Sequence, residues 1–246
     1  MNAAAVLLAA LVGVTLGLLG GGGAILTVPI LVYALGVPVK SAVPMSLLVV
    51  GAASALGAAQ RWHARQFNPR QGIWFGLAAV AGAFVGARVG LLIPERIQLT
   101  LFAAVTLIAA TRMWRTADAP EGGRARPPRA LAWTVALAIG ALTGVIGIGG
   151  GFLFVPAIVT LLGVPMLEAT SLSLMIVTMN AFAGFAGYYG HVEIDWKLAV
   201  PFAAIVIVAT LAAGPFAARV RVATLKRIFA IVLLAIGGVM LLKNLL

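Results

Sequence analysis

Four consecutive glycines, Gly20 to Gly23, interrupt an apolar stretch, and a second run, Gly147 to Gly151 with Ile148 inside it, interrupts another. The two are one motif written twice. At an offset of 127 positions, Gly17, Gly20, Gly22, Gly23, Leu26, Val28 and Pro29 coincide with Gly144, Gly147, Gly149, Gly150, Leu153, Val155 and Pro156. The match runs on through the turns Gly36-Val37-Pro38 and Gly163-Val164-Pro165. Glycine costs a helix interior about 1 kcal/mol per residue relative to alanine, and proline removes a backbone donor. Each apolar stretch is therefore broken, leaving a short piece, 24–35 or 152–162, before the next long helix.

Breaks of this kind matter most where no water can satisfy the freed backbone. The 246 residues are 63% hydrophobic and 9% charged, with a mean hydropathy of +1.13. A soluble domain carries about 25% charged residues, so this composition implies an integral membrane protein. The net charge of +11 comes from arginines between apolar runs and implies cytoplasmic loops, not a nucleic-acid partner. There is no cysteine, and the two histidines, His63 and His191, fall in polar connections. No metal site or cofactor is expected. The apolar start, 3–19, reads as a first membrane segment rather than a removable signal.

Apolar spans are predicted over 3–19, 41–60, 71–93, 97–114, 131–146, 168–188, 198–217 and 224–243, with Ser41 as a helix cap. The predicted class is an all-α, polytopic transmembrane bundle of two homologous repeats, with about eight spans and short broken or re-entrant segments after the glycine runs. The repeats occupy 1–115 and 131–246, and the polar stretch 116–130 is a cytoplasmic linker. Connection 61–70 holds Arg61, Arg65 and Arg70 and no acid, whereas its counterpart 189–197 holds Glu193 and Asp195 against Lys197. Equivalent loops on opposite faces imply inverted halves. A parallel duplication is the alternative, and it places the basic cluster at 217–227 outside. Beyond the turns the offset drifts to 131, which sets Arg88 on Arg219.

The doubled Gly-x-x-Gly-x-Gly-Gly with Val-Pro after it, in two halves about a polar linker, resembles the TauE/SafE family of sulfite and organosulfonate exporter-like permeases. The resemblance covers essentially the whole chain and implies a carrier of small sulfur-containing anions or organic acids; the chain reads as an exporter working by alternating access, with an anion channel or an ion-coupled uptake permease as the alternatives. It also implies a multi-pass protein of the bacterial inner membrane.

Broken helices near a membrane midplane present free N–H groups and positive dipole ends, which suit an anion without any charged side chain. The candidate substrate residues are therefore Gly20, Gly21, Gly22, Gly23 and Pro29 in one copy. In the other they are Gly147, Gly149, Gly150, Gly151 and Pro156. Close helix crossing is the competing use of the same glycines. Ser46 and Ser173 coincide at the offset and can donate to an oxyanion, and Asn180 is too polar to face lipid. Arg88 and Arg219 are candidates for attracting the anion, although arginine near a helix end commonly snorkels to the interface. Tyr188, Tyr189 and the five tryptophans read as interfacial anchors. All six acids lie in or beside connections, so a buried carboxylate proton relay is not expected. No nucleophile has a histidine within its span, which disfavours a membrane enzyme. Expected partners are the small anionic substrate and membrane lipid, with a homo-oligomer left open.

Overall fold

The computed structural model describes residues 3–21, 23–115, 128–147 and 151–219, together with Ile231 and Leu234. The predicted linker and the last predicted span, 224–243, lie outside the described residues, as do Gly22, Gly149 and Gly150. All regular structure among the described residues is helical. In chain order the helices are α1 (Ala3–Leu19), α2 (Ala24–Pro29), α3 (Val39–His63), α4 (Pro69–Leu92), α5 (Glu95–Arg115), α6 (Arg129–Ile146), α7 (Gly151–Leu162), α8 (Met166–Tyr188) and α9 (Trp196–Ala213). Past Pro29, α2 widens into a π-helical turn over Ile30–Ala34, and α9 tightens into a 3₁₀ segment over Gly214–Arg219. Among the described residues four segments are long and apolar enough to cross a membrane core: Val39–His63, Gly72–Leu92, Leu167–Tyr188 and Trp196–Ala217. The helices Ala3–Leu19, Ala24–Ala34 and Ala130–Ile146 are apolar but shorter.

The helix ends follow local chemistry. Helices α3, α6 and α8 each begin immediately after a proline, Pro38, Pro128 and Pro165. Ser41 is therefore not the cap expected of it and sits in the first turn of α3. Asn68 caps α4 ahead of Pro69, accepting from the Arg70 amide at 3.1 Å. Asp195 caps α9, accepting from the Leu198 amide at 3.2 Å. Helices α1 and α6 are stopped by left-handed glycines, Gly20 at φ +64° and Gly147 at φ +78°. Lys40 turns its ammonium onto the carbonyl oxygens of Gly90 (2.8 Å), Leu91 and Ile93, and so satisfies the end of α4.

Glycines set how the helices pair. Any Cβ on Gly82 or Gly86 of α4 would run into the α6 backbone at Leu137 or Ala141. Gly140 and Gly144 of α6 press equally close on the carbonyls of Ala79 and Ala83. The numbers rise together, so α4 and α6 run parallel. Helices α1 and α9 repeat the arrangement: Gly13 lies on the carbonyl of Val206 and Gly17 on that of Thr210. Thr210 adds a hydrogen bond to the Gly13 carbonyl at 3.1 Å. Small residues allow backbones this close when hydrophobicity cannot drive helices together in lipid. Helices α3 and α8 instead run antiparallel, with Gly57 against Leu174, Gly51 against Ala181, and Gly184 against Leu47.

Two parallel sets result: α1, α3 and α9 run one way, and α4, α6 and α8 the other, meeting along α3 and α8. The N-terminal half thus lends α4 to helices of the C-terminal half, and receives α9 in return. Many contacts also recur 127 positions apart. Gly13–Val206 matches Gly140–Ala79, Gly17–Thr210 matches Gly144–Ala83, and Gly57–Leu174 matches Gly184–Leu47. The offset therefore holds at 127 through α4 and α9, with no drift to 131. In the packing the position corresponding to Arg88 is Pro215, not Arg219. Backbone contacts set that register, and the short Ala-Arg-Val match lay one helical turn away from it.

Candidate functional site

The glycine runs, far apart in sequence, touch in space. A Cβ on Gly151 would fall on the carbonyl group and Cα of Gly21, and one on Gly21 would lie 2.7 Å from Gly151 Cα. The same Gly21 position lies 3.2 Å from Val177 Cγ2, on the middle turn of α8. The contact is therefore at mid-depth of the bundle. Gly21 has φ +100°, a conformation that side chains disfavour.

The turns around this contact are bound to the α3–α8 seam. Gly20 packs on the backbone of Thr170, and its carbonyl accepts a hydrogen bond from Ser173 Oγ. The Thr170 carbonyl oxygen also lies 3.0 Å from Ser173 Oγ and shares its proton. The corresponding Gly147 packs on Val43 of α3. Ser46, one turn further along α3, is fully buried, and its hydroxyl has no hydrogen-bond partner among the described residues. Among the described residues the two serines that coincide in sequence therefore differ: Ser173 is bonded to a glycine turn and Ser46 is not. Asn180 is fully buried, as its polarity suggested, and donates to Thr143 Oγ1 at 3.0 Å. Thr143 in turn accepts the Gly147 amide on its carbonyl at 2.8 Å. Asn180 thus braces α8 against the end of α6.

Three of the expected free amides are committed. The Gly20 and Gly21 N–H groups both turn back to the Leu16 carbonyl, at 3.0 and 3.4 Å, and that of Gly147 closes α6. Gly23 lies against α1 at Val12, Thr15 and Leu16, where no side chain fits. Here glycine serves close packing. Pro29 is buried in α2, whereas Pro156 is exposed on α7 and stands apart from the interior. Arg88 is exposed too: its guanidinium lies 3.0 Å from His191 Nε2 and 5.4 Å from the Phe84 ring centre. It points away from the glycine contact, because the side of α4 that faces inward is taken by glycine and alanine. Arg219 closes the 3₁₀ segment, and its side chain lies outside the described detail.

Two residues that sequence reasoning assigned to the interface or a loop are interior. Helix α3 continues to His63, and Arg61, expected in a connection, is buried at 2% exposure. Its guanidinium donates to Thr170 Oγ1 (3.0 Å), Ser171 Oγ (3.2 Å) and the Gly17 carbonyl. Tyr188, expected as an anchor, is fully buried. Its hydroxyl lies 3.2 and 3.1 Å from the carbonyl oxygens of Gly144 and Val145. Gln98, also buried, donates to the carbonyl oxygens of Val145 (2.9 Å) and Gly90 (3.1 Å). The available signal was the register: Arg61 and Tyr188 are 127 positions apart, and so are the carbonyls they reach. By contrast Tyr189 and all five tryptophans are exposed.

Comparison with known proteins is consistent across the chain. The family described as "Sulfite exporter TauE/SafE" matches residues 5–240. A "Probable membrane transporter protein" of Xylella fastidiosa (strain 9a5c) is 34% identical over 237 residues, which is 92% of this chain and 90% of that protein. A second protein of the same name, from strain Temecula1, is 35% identical over 205 residues, 78% of this chain and 76% of its own length. "Probable membrane transporter protein YdhB" of Bacillus subtilis is 24% identical over 197 residues, 77% of this chain and 80% of its own length. No solved structure matches the chain.

Proposed function

The chain belongs to the sulfite exporter TauE/SafE family, and from that premise we propose that it carries a small anion, sulfite or an organosulfonate or organic acid, outward across the bacterial inner membrane. The reading rests above all on one observation: the two glycine runs meet backbone to backbone at mid-depth, between two oppositely directed sets of helices. Irregular backbone persists at that depth only where protein buries it or a cavity needs it. Broken helices meeting at the midplane are a recurrent way for transporters to hold an ion. The Ser46 hydroxyl, unpartnered among the described residues, supplies a free donor in the interior.

The mechanism is alternating access between two inverted repeats. The recurrence of contacts at an offset of 127 and the antiparallel α3–α8 seam support this arrangement. One set, α1, α3 and α9, moves against the other, α4, α6 and α8. Movement along the seam opens one glycine turn while the other stays closed. The bond from Ser173 to the Gly20 turn fits a half-site that is closed in this state and opens in the other, and the Ser46 hydroxyl, unbonded among the described residues, fits the half-site that is open in it. An inside-negative potential drives each negative charge outward with about 2.3 kcal/mol per 100 mV, so export needs no coupling ion. The arginines at 61–70 support a cytoplasmic position for that end of the bundle.

The test is sulfite flux into lipid vesicles containing the purified protein. Saturation, counterflow and competition by methanesulfonate or thiosulfate are expected of a carrier. Flux that rises linearly with sulfite, without counterflow, would mean a channel and refute alternating access.

A further inference from the structure

Among the described residues Arg61 is the one charged side chain that is buried. It lies third from the end of α3, where a long side chain can ordinarily reach the interface and keep its head in water. Its neighbours do so: Trp62, His63 and Arg65 are exposed. Arg61 instead turns inward, and no carboxylate among the described residues lies within ion-pair distance of it. Its partners are neutral. Thr170 and Ser171 direct their own protons to the Leu167 carbonyl, at 2.8 and 3.0 Å, and offer Arg61 lone pairs. A buried cation without a counter-charge is strongly disfavoured, and within a membrane segment it marks a site by default.

Its place decides which site. Gly17 opens the first glycine run, and Thr170 is the residue on which Gly20 packs. The guanidinium therefore lies beside the first glycine turn. At the corresponding place on the opposite side, Tyr188 reaches the Gly144 carbonyl with a neutral phenol. Holding that carbonyl thus requires a donor but no charge. The charge of Arg61 is left for something else, and a planar guanidinium matches two oxygens of a small oxyanion.

We propose that Arg61 is the cationic element of the anion site, leaving the Gly17 carbonyl to take two oxygens of a sulfite or sulfonate group held at the first glycine turn. This rests on the transport reading above. The experiment uses the full-length protein, with sulfite flux in vesicles and melting temperature in detergent as readouts. Arg61→Gln, Arg61→Lys and, as a control for lost surface charge, Arg88→Gln are compared with wild type. Arg61→Gln is expected to raise the half-saturating sulfite concentration by about tenfold or more, as loss of a charge-assisted bond implies. Arg61→Lys should recover part of the loss, and Arg88→Gln should leave flux unchanged. Sulfite should raise the melting temperature of wild type and of Arg61→Lys, but not of Arg61→Gln. A purely structural Arg61 would lower the folded yield while half-saturation stayed put, and that result overturns the proposal. If Arg61→Gln does not fold, the lysine variant decides: wild-type half-saturation and stabilisation would show that the fork is not used. If wild type moves neither sulfite nor a sulfonate nor a small organic acid, the transport reading fails, and sulfate still tests the site. Stabilisation by sulfate that depends on Arg61 supports it, and its absence from wild type, or equal stabilisation of both proteins, overturns it.

Discussion

Three glycine-to-alanine changes separate the two things a glycine can supply, conformation and space. Gly36 has φ +69° and nothing within 4 Å of the place an added methyl would take, so Gly36→Ala tests conformation alone. A left-handed alanine costs roughly 1–2 kcal/mol, and the stiffer unfolded chain returns about 0.4–1 kcal/mol. A net loss of about 1 kcal/mol is expected. Gly151 has no positive φ, but its methyl would fall on the Gly21 carbonyl group. A Cβ cannot rotate away, so the two backbones must part. Overpacking costs about 1–3 kcal/mol, and backbone against backbone belongs at the upper end. Alanine's better helix propensity offsets at most about 1 kcal/mol. Gly21→Ala combines both penalties, for about 2–5 kcal/mol. At this chain length 1 kcal/mol is about 2–4 °C of melting temperature. Unfolding in detergent, followed by tryptophan fluorescence, should therefore rank Gly36→Ala mildest and Gly21→Ala most severe. Sulfite flux per folded molecule should fall for Gly151→Ala and Gly21→Ala and stay near wild type for Gly36→Ala. A Gly151→Ala protein as stable and active as Gly36→Ala would refute the contact between the glycine runs, and with it the site built on that contact.

Ser46→Ala removes a buried hydroxyl with no partner among the described residues, so the melting temperature should hold or rise while sulfite flux falls; unchanged flux would remove Ser46 from the site. Ser173→Ala breaks the bond to the Gly20 turn and should cost about 1 kcal/mol of stability, read as a drop of about 2–4 °C. Tyr188→Phe strips the Gly144 carbonyl of its phenol while Val145 keeps Gln98, so a loss of about 1–2 kcal/mol is expected. Combined with Gln98→Leu, the two effects should be non-additive, because both side chains serve Val145. Asn180→Leu loses the brace to Thr143, and a membrane hydrogen bond of this kind is worth about 0.6 kcal/mol. A melting temperature more than about 6 °C below wild type would show that Asn180 carries more than that bond.

The local chemistry of the chain was sufficient for the membrane class and, among the described residues, for the helices and their breaks. Long apolar runs need lipid, glycine and proline stop helices wherever they occur, and hydropathy is a property of neighbours in sequence. The coincidence of Ser46 with Ser173 and the inward Asn180 were legible for the same reason: a polar group in an apolar run has few places to go. Tertiary structure decided what periodicity does not encode. Whether Arg61 snorkels or turns inward depends on the rotation of α3 and on Thr170 and Ser171, more than a hundred positions away. Tyr188 was equally ambiguous, since a tyrosine at a span end suits an interface and a buried carbonyl alike. The exchange of α4 and α9 between the halves follows from glycines that let particular backbones close, and only the paired surfaces together specify that fit. The meeting of Gly21 with Gly151 has the same origin. Each run signals a break on its own, but what the break is for depends on what stands opposite it in space.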